Sequence, residues 1–538
     1  MLDIAIVGGG VAGAYCAYRL ANTRRVALFE ASDRMGGRLW SVPLKSRAGP
    51  AEIGGMYFRS NQYNVRSLIE HLALPWEPVE FTRAGQFVRG TRFSDADFAS
   101  PTLPFNLLPS ERKSGPAALL VHTLEQVVPG CTDLWPINRT DGRSAQATFQ
   151  NLRAVRHNGR LLHEHSLWNV LADVISTEAQ ALLAATLGAA LLFRNINAFD
   201  GVWGLLHELG DGGGLRLKDG YQQLPIELVR RAEEDGVDVK PQHRLRGIER
   251  HGEGFALTFE VAGRAEVVRH ARHVILAVPQ RALQLVQFDS ALFNDSGAFA
   301  SMRDGVVAPM RSCKVFLAYE KAWWPEERGD AAHVSARYTD LPMQQCYYFG
   351  RNAPDAAALL MAAYADDVSA LFWAQFADRS DRSDRFASAA VDPRDSEAMR
   401  VSDALVTSLR RQLGMMHGGD IAPAPDGALY FDWGRDPYGG AWHAWAPHVE
   451  SWKIRPRMRQ PNPRLDLFIC GEAYSQRNGW VEGAINSAER TLERLGLSRP
   501  SWISDPDFQF ETDDEGVADV NGNSPNVQRT VSRHGAAA

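Results

Sequence analysis

The sequence predicts an α/β protein built on a Rossmann-type nucleotide-binding domain, with a mixed-sheet substrate domain and a helical subdomain inserted into it. Three observations carry this. The chain opens on a strand–glycine–helix–strand unit. Two further buried-strand segments, "VILAVP" ending at Pro279 and "LDLFICGEAYS" at 465–475, stand far along the chain. Between them lie long stretches with helical or strand-rich patterning of their own.

The opening unit reads "DIAIVGGGVAGAYCAYRL". Ile4 to Val7 form the short apolar run of a buried parallel strand, and Ala12, Cys16, Ala17 and Leu20 then repeat at helical spacing. Gly8, Gly10 and Gly13 make G-x-G-x-x-G. Gly8 permits the tight turn, Gly10 lets backbone N–H groups approach a pyrophosphate, and Gly13 lets helix pack on strand. The helix N-terminus adds partial positive charge. The second strand, "RVALFE", ends at Glu30, whose carboxylate suits the ribose hydroxyls of an adenosine. "ASDRMGGRLWS" follows. There Gly36 and Gly37 expose N–H groups while Arg34 and Arg38 add charge, as a second phosphate loop requires. A chain that extends past the pyrophosphate toward a second large ring points to FAD rather than NAD.

The chain has 538 residues, 45% of them hydrophobic, enough for two or three cored domains. Its net charge of −6 and lack of long basic runs disfavour nucleic acid as a partner. The longest mostly apolar stretch, 179–193, is too short to span a bilayer and is expected as a buried helix, so no membrane is expected. A strand starting at Leu2 leaves no room for a signal peptide, and five scattered cysteines suit a reducing compartment; both predict a cytoplasmic location. No metal-ligand spacing is visible, and "HEH" at 163–165 is expected as a solvated patch. The tail 505–538, polar and aromatic-poor, is expected to be disordered, and the charge-dense 376–400 to be exposed.

"DRMGGR" behind the nucleotide unit, with "AEIGGMYF" at 51–58, resembles the flavin-containing amine oxidases. The resemblance implies a glutathione-reductase-like FAD-binding domain made of 1–65, 215–305 and 455–500. It implies a substrate-binding domain made of 66–109 and 306–454, and a helical subdomain at 110–214. Gly54, Gly55 and Met56 would contact the flavin. Leu245 would lie near the adenine, and Glu472 in "CGEAYS" near the ribityl or pyrophosphate groups.

Lys314 opens the apolar run "SCKVFLAYEKAWW". Composition alone fits an edge or snorkelling lysine. The resemblance implies a lysine that holds a water beside the flavin atom that accepts the hydride. "TDLPMQQCYYFG" followed by "AAYADD" is most like the L-amino-acid oxidases, and implies that Tyr364 donates its hydroxyl to a substrate carboxylate. Those oxidases pair this tyrosine with an arginine after G-x-M, where this chain has Tyr57; Arg59 and Arg194 are the candidate replacements. Trp442, in "GGAWHAW", and Trp480, in "RNGWVEGAINSAERTL", match the two walls of the family's aromatic cage. Ala441 stands where some members carry a flavin-bonded cysteine, which implies non-covalent FAD. Gly479, Trp480 and Val481 would pass against the flavin, with Gly483 helping the close approach and the helix dipole at Glu482 facing the ring's pyrimidine end.

The resulting expectation is an FAD-dependent L-amino-acid oxidase that takes a small-molecule L-amino acid and O2 to a 2-oxo acid, ammonia and hydrogen peroxide. Family analogy adds a homodimer. A primary-amine or polyamine oxidase, an amino-acid 2-monooxygenase of the same fold, and a flavin-bearing interaction protein without turnover stay open as alternatives.

Overall fold

The structure, a computed structural model, describes residues 1–43, 49–131, 143–188, 195–208, 213–261, 266–324, 333–349, 357–376, 401–435, 437–504 and 508. Arg194, nearly all of the charge-dense stretch and, Phe508 apart, the tail from 505 lie outside these residues.

The opening segment forms strand Leu2–Val7, helix Val11–Leu20 and strand Val26–Phe29. Ile4 to Val7 and Val26 to Phe29 are buried throughout, as strands covered on both faces must be. The sheet order is Asp238–Lys240, Val26–Phe29, Leu2–Val7, Val267–Leu276, Gly254–Val261, His243–His251, Gln287–Phe288. Leu467–Ile469 runs parallel to Val274–Leu276 on the edge that Gly254–Val261 leaves open. Three distant parts of the chain thus supply one sheet. Helices Gln223–Glu234 and Val481–Arg494 pack on Val11–Leu20.

The second large sheet has nine strands among the described residues. It runs Gly427–Asp432, Ser312–Tyr319, Ala358–Asp366, Gln345–Phe349, His333–Thr339, Trp76–Val88, Gly214–Leu217, Phe58–Arg59, with Thr91–Phe93 beside Trp76–Val88. In register, Lys314 stands between Tyr364 and Phe431. Paired residues of neighbouring strands project to one face, so these three side chains share it.

Helices Pro116–Val127, Leu167–Ala172, Thr177–Thr186 and Ala198–Glu208 share a core with Trp452 and Ala444, against which Trp442 packs. Thr177–Thr186 is the described part of the long apolar stretch, and among the described residues no helix is long and apolar enough to cross a membrane. All five cysteines are buried and free. The expected solvated patch at 163–165 is corrected: Leu162–Glu164 is a short 3-10 turn, and His163 is buried edge-on to Trp452. Its ring fills a gap between helices.

Two residues at the start of the helix that follows Trp480 serve the protein's own packing. Glu482 is fully buried, and its carboxylate accepts from the N–H groups of Asn64 (3.1 Å) and Val65 (2.8 Å). It therefore caps the helix Tyr63–His71, whose first N–H groups have no intrahelical partner. A Cβ on Gly483 would sit 2.2 Å from the Arg477 carbonyl oxygen, so this glycine serves the packing of helix on loop rather than the cofactor. Replacing Glu482 by Ala should cost about 2–4 kcal/mol of stability by orphaning two buried donors, and Glu482→Gln should cost less. Urea unfolding of the apoprotein measures both.

Candidate active site

A cleft of about 1130 Å³ runs along the nucleotide unit and under the large sheet. Its lining includes Glu30, Ser32, Arg244 and Leu245, the two glycine loops, and the aromatic residues Trp40, Phe431, Trp433 and Trp480. The two glycine loops face one another: Gly36 N–H donates to the Gly9 carbonyl (2.8 Å), and a Cβ on Gly10 would meet nothing nearer than the Gly37 Cα at 4.0 Å. Helix Val11–Leu20 carries no side-chain cap, and its first residues line the cleft. Uncapped N–H groups beside open space are what a diphosphate needs. The cleft therefore offers the volume and the phosphate-binding chemistry that a flavin dinucleotide needs.

Gly8, Gly10, Gly37, Arg34, Arg38, Gly55, Glu472, Gly479, Trp480 and Val481 all line this cleft. Gly13 does not: its Cβ would lie 1.9 Å from the Gly8 carbonyl oxygen, so it serves helix-on-strand packing as expected. Gly54 and Met56 do not line it either. A Cβ on Gly54 would strike the Arg38 carbonyl oxygen at 1.9 Å, and Met56 packs with Tyr57, Tyr364 and Phe431 under the large sheet. Glu30 accepts from Gly9 N–H (2.6 Å) and from the Ser32 N–H and hydroxyl (2.8 Å each). These bonds hold its carboxylate at the cleft and leave lone pairs for ribose. Arg34 is spent on the loop itself: it donates to the Gly37 carbonyl (2.7 Å) and lies 4.0 Å over the Trp40 ring, and burial lowers it to about 10.

Glu472 is the junction of the site. Its carboxylate accepts from Arg38 (2.6 Å), from the backbone N–H and Nδ1 of His443 (2.9 Å each) and from the Gly479 N–H (2.7 Å). Burial alone would raise its pKa, but Arg38, His443 and these N–H donors outweigh it and hold the carboxyl well below its usual range. Gly479 needs its φ of +81° to turn its N–H onto Glu472, and its Cα faces the Trp442 ring.

Trp442 and Trp480 line one smaller cavity of about 80 Å³ beside the cleft. Trp480 sits at the N-cap of helix Val481–Arg494 and is fixed on three sides. Its indole N–H donates to Glu208 (3.2 Å), the Tyr57 ring packs edge-on at 5.6 Å, and the Arg59 guanidinium lies 5.7 Å from its ring. Arg59 Nε is buried with no hydrogen-bond partner among the described residues. Burial raises Tyr57, opposed by Arg59 and assisted by Glu208.

Lys314 is buried, so the edge-lysine alternative fails. Its Nζ donates to the carbonyls of Glu52 (3.0 Å) and Gly54 (2.6 Å) and lies 4.8 Å from the Tyr364 ring centroid. The Trp433 indole donates to the Ile53 carbonyl between them (2.7 Å). Three successive carbonyls of the segment that leads into Gly55 are thus pinned to the large sheet. Burial lowers Lys314 to about 8, against the pull of Glu52. Tyr364 lines neither cavity; burial first, then Tyr57, Asp366 and Glu208, raise its hydroxyl.

Sequence reasoning missed Glu208, His443, Trp433 and Glu52. Glu208 carried one signal: an acidic residue ending a helix opposes the helix dipole and asks for a reason. The others gain their places only through contacts far along the chain.

Fold and site define a flavoprotein with an aromatic-lined cavity beside its cofactor cleft. The family model for flavin containing amine oxidoreductases matches residues 11–495, and the chain belongs to that family. Its cofactor is accordingly a flavin. The chain is 25% identical to Aplysianin-A of Aplysia kurodai over 523 residues (91% of this chain, 90% of that one). It is 26% identical to Achacin of Lissachatina fulica over 524 residues (92% and 93%), and 23% to an L-amino-acid oxidase of Crotalus adamanteus over 513 residues (93% and 88%). Among solved structures, cyclohexylamine oxidase of Brevibacterium oxydans matches with TM-score 0.63 at 18% identity (92% of this chain, 100% of that one). A putrescine oxidase double mutant matches with TM-score 0.61 at 19% (92% and 99%). These two share the fold.

Glu472 gives a pH test. Its pKa is depressed in the folded state, so its contribution to stability is complete above the ordinary value of 4.5 and is lost as pH falls below it. Apoprotein stability should drop through that acid range, and Glu472→Gln should be less stable at neutral pH with a flatter acid limb. Denaturant midpoints across pH measure this.

Proposed function

We propose that the protein is an FAD-dependent L-amino-acid oxidase, with FAD held non-covalently and O2 as the acceptor. The observation that carries this reading is the half-buried Arg59 guanidinium at the Trp480 ring, whose buried Nε has no partner among the described residues and so supports a role in binding an amino acid's carboxylate. Three relatives, one of them an L-amino-acid oxidase, align over nearly the whole chain and support it. Ala441 at the cleft offers no thiol for a bond to the cofactor.

Bound flavin would supply the acceptor for the hydrogen and electron pair of the substrate's Cα–H bond, leaving the C–N bond as an imine. The chain's own residues do the rest. Arg59, which lines the smaller cavity, takes the carboxylate by charge-assisted hydrogen bonds. Trp442 and Trp480 wall the cavity and exclude water from it. Glu208 keeps the Trp480 indole in one orientation. Tyr364 and Lys314 stand behind the 52–56 segment and fix its distance from the large sheet. Glu208, a carboxylate at the cavity, is taken up by the Trp480 indole, so in this reading the amine arrives unprotonated. kcat/KM should rise with pH as the substrate ammonium loses its proton, and a flat profile through that range contradicts the reading.

Glu208 favours a second reading, an amine oxidase, because a carboxylate beside the cage attracts a cation. Arg59→Met separates the two. It should lower kcat/KM about 10- to 100-fold for an L-amino acid, the worth of a charged hydrogen bond, and leave its decarboxylated amine unchanged. Equal losses for both substrates contradict carboxylate recognition by Arg59.

A further inference from the structure

Lys314 has three N–H bonds when charged, and the structure places acceptors on two of them, the backbone carbonyls of Glu52 and Gly54. No carboxylate bonds it. The third direction has no protein acceptor among the described residues. If Nζ gives up a proton to solvent, the two remaining N–H bonds still satisfy the two carbonyls, and the lone pair takes the third direction. One nitrogen can therefore switch from donor to acceptor without moving. What decides its state is the charge around it.

The side chain of Glu52 is built for that task. Its carboxylate is held by the Tyr221 N–H (2.8 Å) and the Ser41 hydroxyl (2.8 Å), both neutral donors, and makes no ion pair. Gly220, at φ +98°, allows the turn that brings Tyr221 in; a Cβ there would lie 3.2 Å from the carboxylate and 2.5 Å from the Ser41 hydroxyl. The surroundings hold few other charges. Arg216, from strand Gly214–Leu217, also acts on Glu52 but is itself paired to Glu77 (2.7 Å). Tyr364, from strand Ala358–Asp366, offers Lys314 its ring face. The Tyr221 phenol lies within the influence of Glu52 and of Glu482, and burial keeps it protonated.

We propose that Glu52 is the counter-charge of Lys314, a positioning residue that sets whether Lys314 donates or accepts a hydrogen bond in its open direction. Burial raises Glu52 to about 7, opposed first by the Tyr221 N–H and the Ser41 hydroxyl and then by the charge of Lys314, whose Nζ bonds the Glu52 backbone carbonyl. Burial lowers Lys314 to about 8, opposed by the charge of Glu52. From acid to alkaline pH the pair passes from neutral acid with ammonium, to carboxylate with ammonium, to carboxylate with free amine. Two protons thus leave within a narrow span near neutrality. The consequence for catalysis rests on the oxidase reading, in which the open direction of Lys314 serves the bound flavin. The charge coupling itself belongs to the apoprotein.

The test is carbon-13 NMR of apoprotein with labelled lysine and glutamate side chains. The chain has only seven lysines, so the Lys314 signal is resolvable and is assigned by its loss in Lys314→Met. In wild type it should titrate below an ordinary lysine. In Glu52→Gln, which keeps an acceptor for Tyr221 and Ser41, its midpoint should fall by about one pH unit or more. Glu52→Asp should restore most of that fall. Should the Glu52 variants not fold, the wild-type carboxyl signal of Glu52 gives the same answer: it should respond in the range where Lys314 titrates, and its midpoint should rise in Lys314→Met. An unmoved Lys314 midpoint in Glu52→Gln, or a Glu52 signal blind to Lys314, overturns the proposal. Failure of amino acids to reduce the holoenzyme would overturn the oxidase reading and leave this result standing.

Discussion

One buried carboxylate gathers the site. Glu472 binds the second glycine loop through Arg38, the strand of Trp442 through His443, and the turn before Trp480 through the Gly479 N–H. These three segments come from 34–38, 442–445 and 472–480, far apart in the chain. A charge without water must find several donors, and the four here come from three segments. The electrostatic need of a single group therefore fixes where the phosphate loop, the cavity wall and the helix start meet. The indole of Trp480, which looks misplaced among glycines in the bare sequence, is located by this junction. Gly479 turns to reach Glu472, and the tryptophan follows as the N-cap of the next helix.

A second constraint joins the nucleotide sheet to the larger one. Lys314 and Trp433 hold the carbonyls of residues 52 to 54 from above, and Gly54 packs against the Arg38 backbone from below. The segment is thus clamped between layers just before it lines the cleft at Gly55. A buried ammonium in an all-buried strand is costly unless hydrogen-bonded. The two carbonyls offset that cost, and they also make Lys314 part of the architecture as well as of the chemistry.

Local motifs were legible in the sequence, and long-range partners were not. Gly8, Gly10 and Gly13 are readable because their spacing encodes a turn, an approach and a packing contact within six residues. Trp442 and Trp480 were found through resemblance, and they do line one cavity. Arg59 reached the Trp480 ring as the pattern suggested, whereas Arg194 lies outside the described residues. A glycine near a flavin motif suggests that Gly483 faces the cofactor, and the helix start at Glu482 suggests only a dipole, not a use for its side chain. Their partners, the Arg477 carbonyl and the Asn64 and Val65 N–H groups, become visible only in three dimensions. Glu52, Glu208 and His443 carry no local pattern; the fold brings each to a partner more than twenty residues away.

The central claim is that this cavity takes an α-amino acid by its carboxylate beside a flavin. Anaerobic mixing of the purified holoenzyme with L-amino acids, their D-enantiomers and the matching decarboxylated amines, followed by flavin absorbance, tests it most directly. The account predicts that L-amino acids bleach the flavin while the D-forms and the amines do so far more slowly. Bleaching by the amines at equal or greater rates, or by none of the three classes, would contradict it.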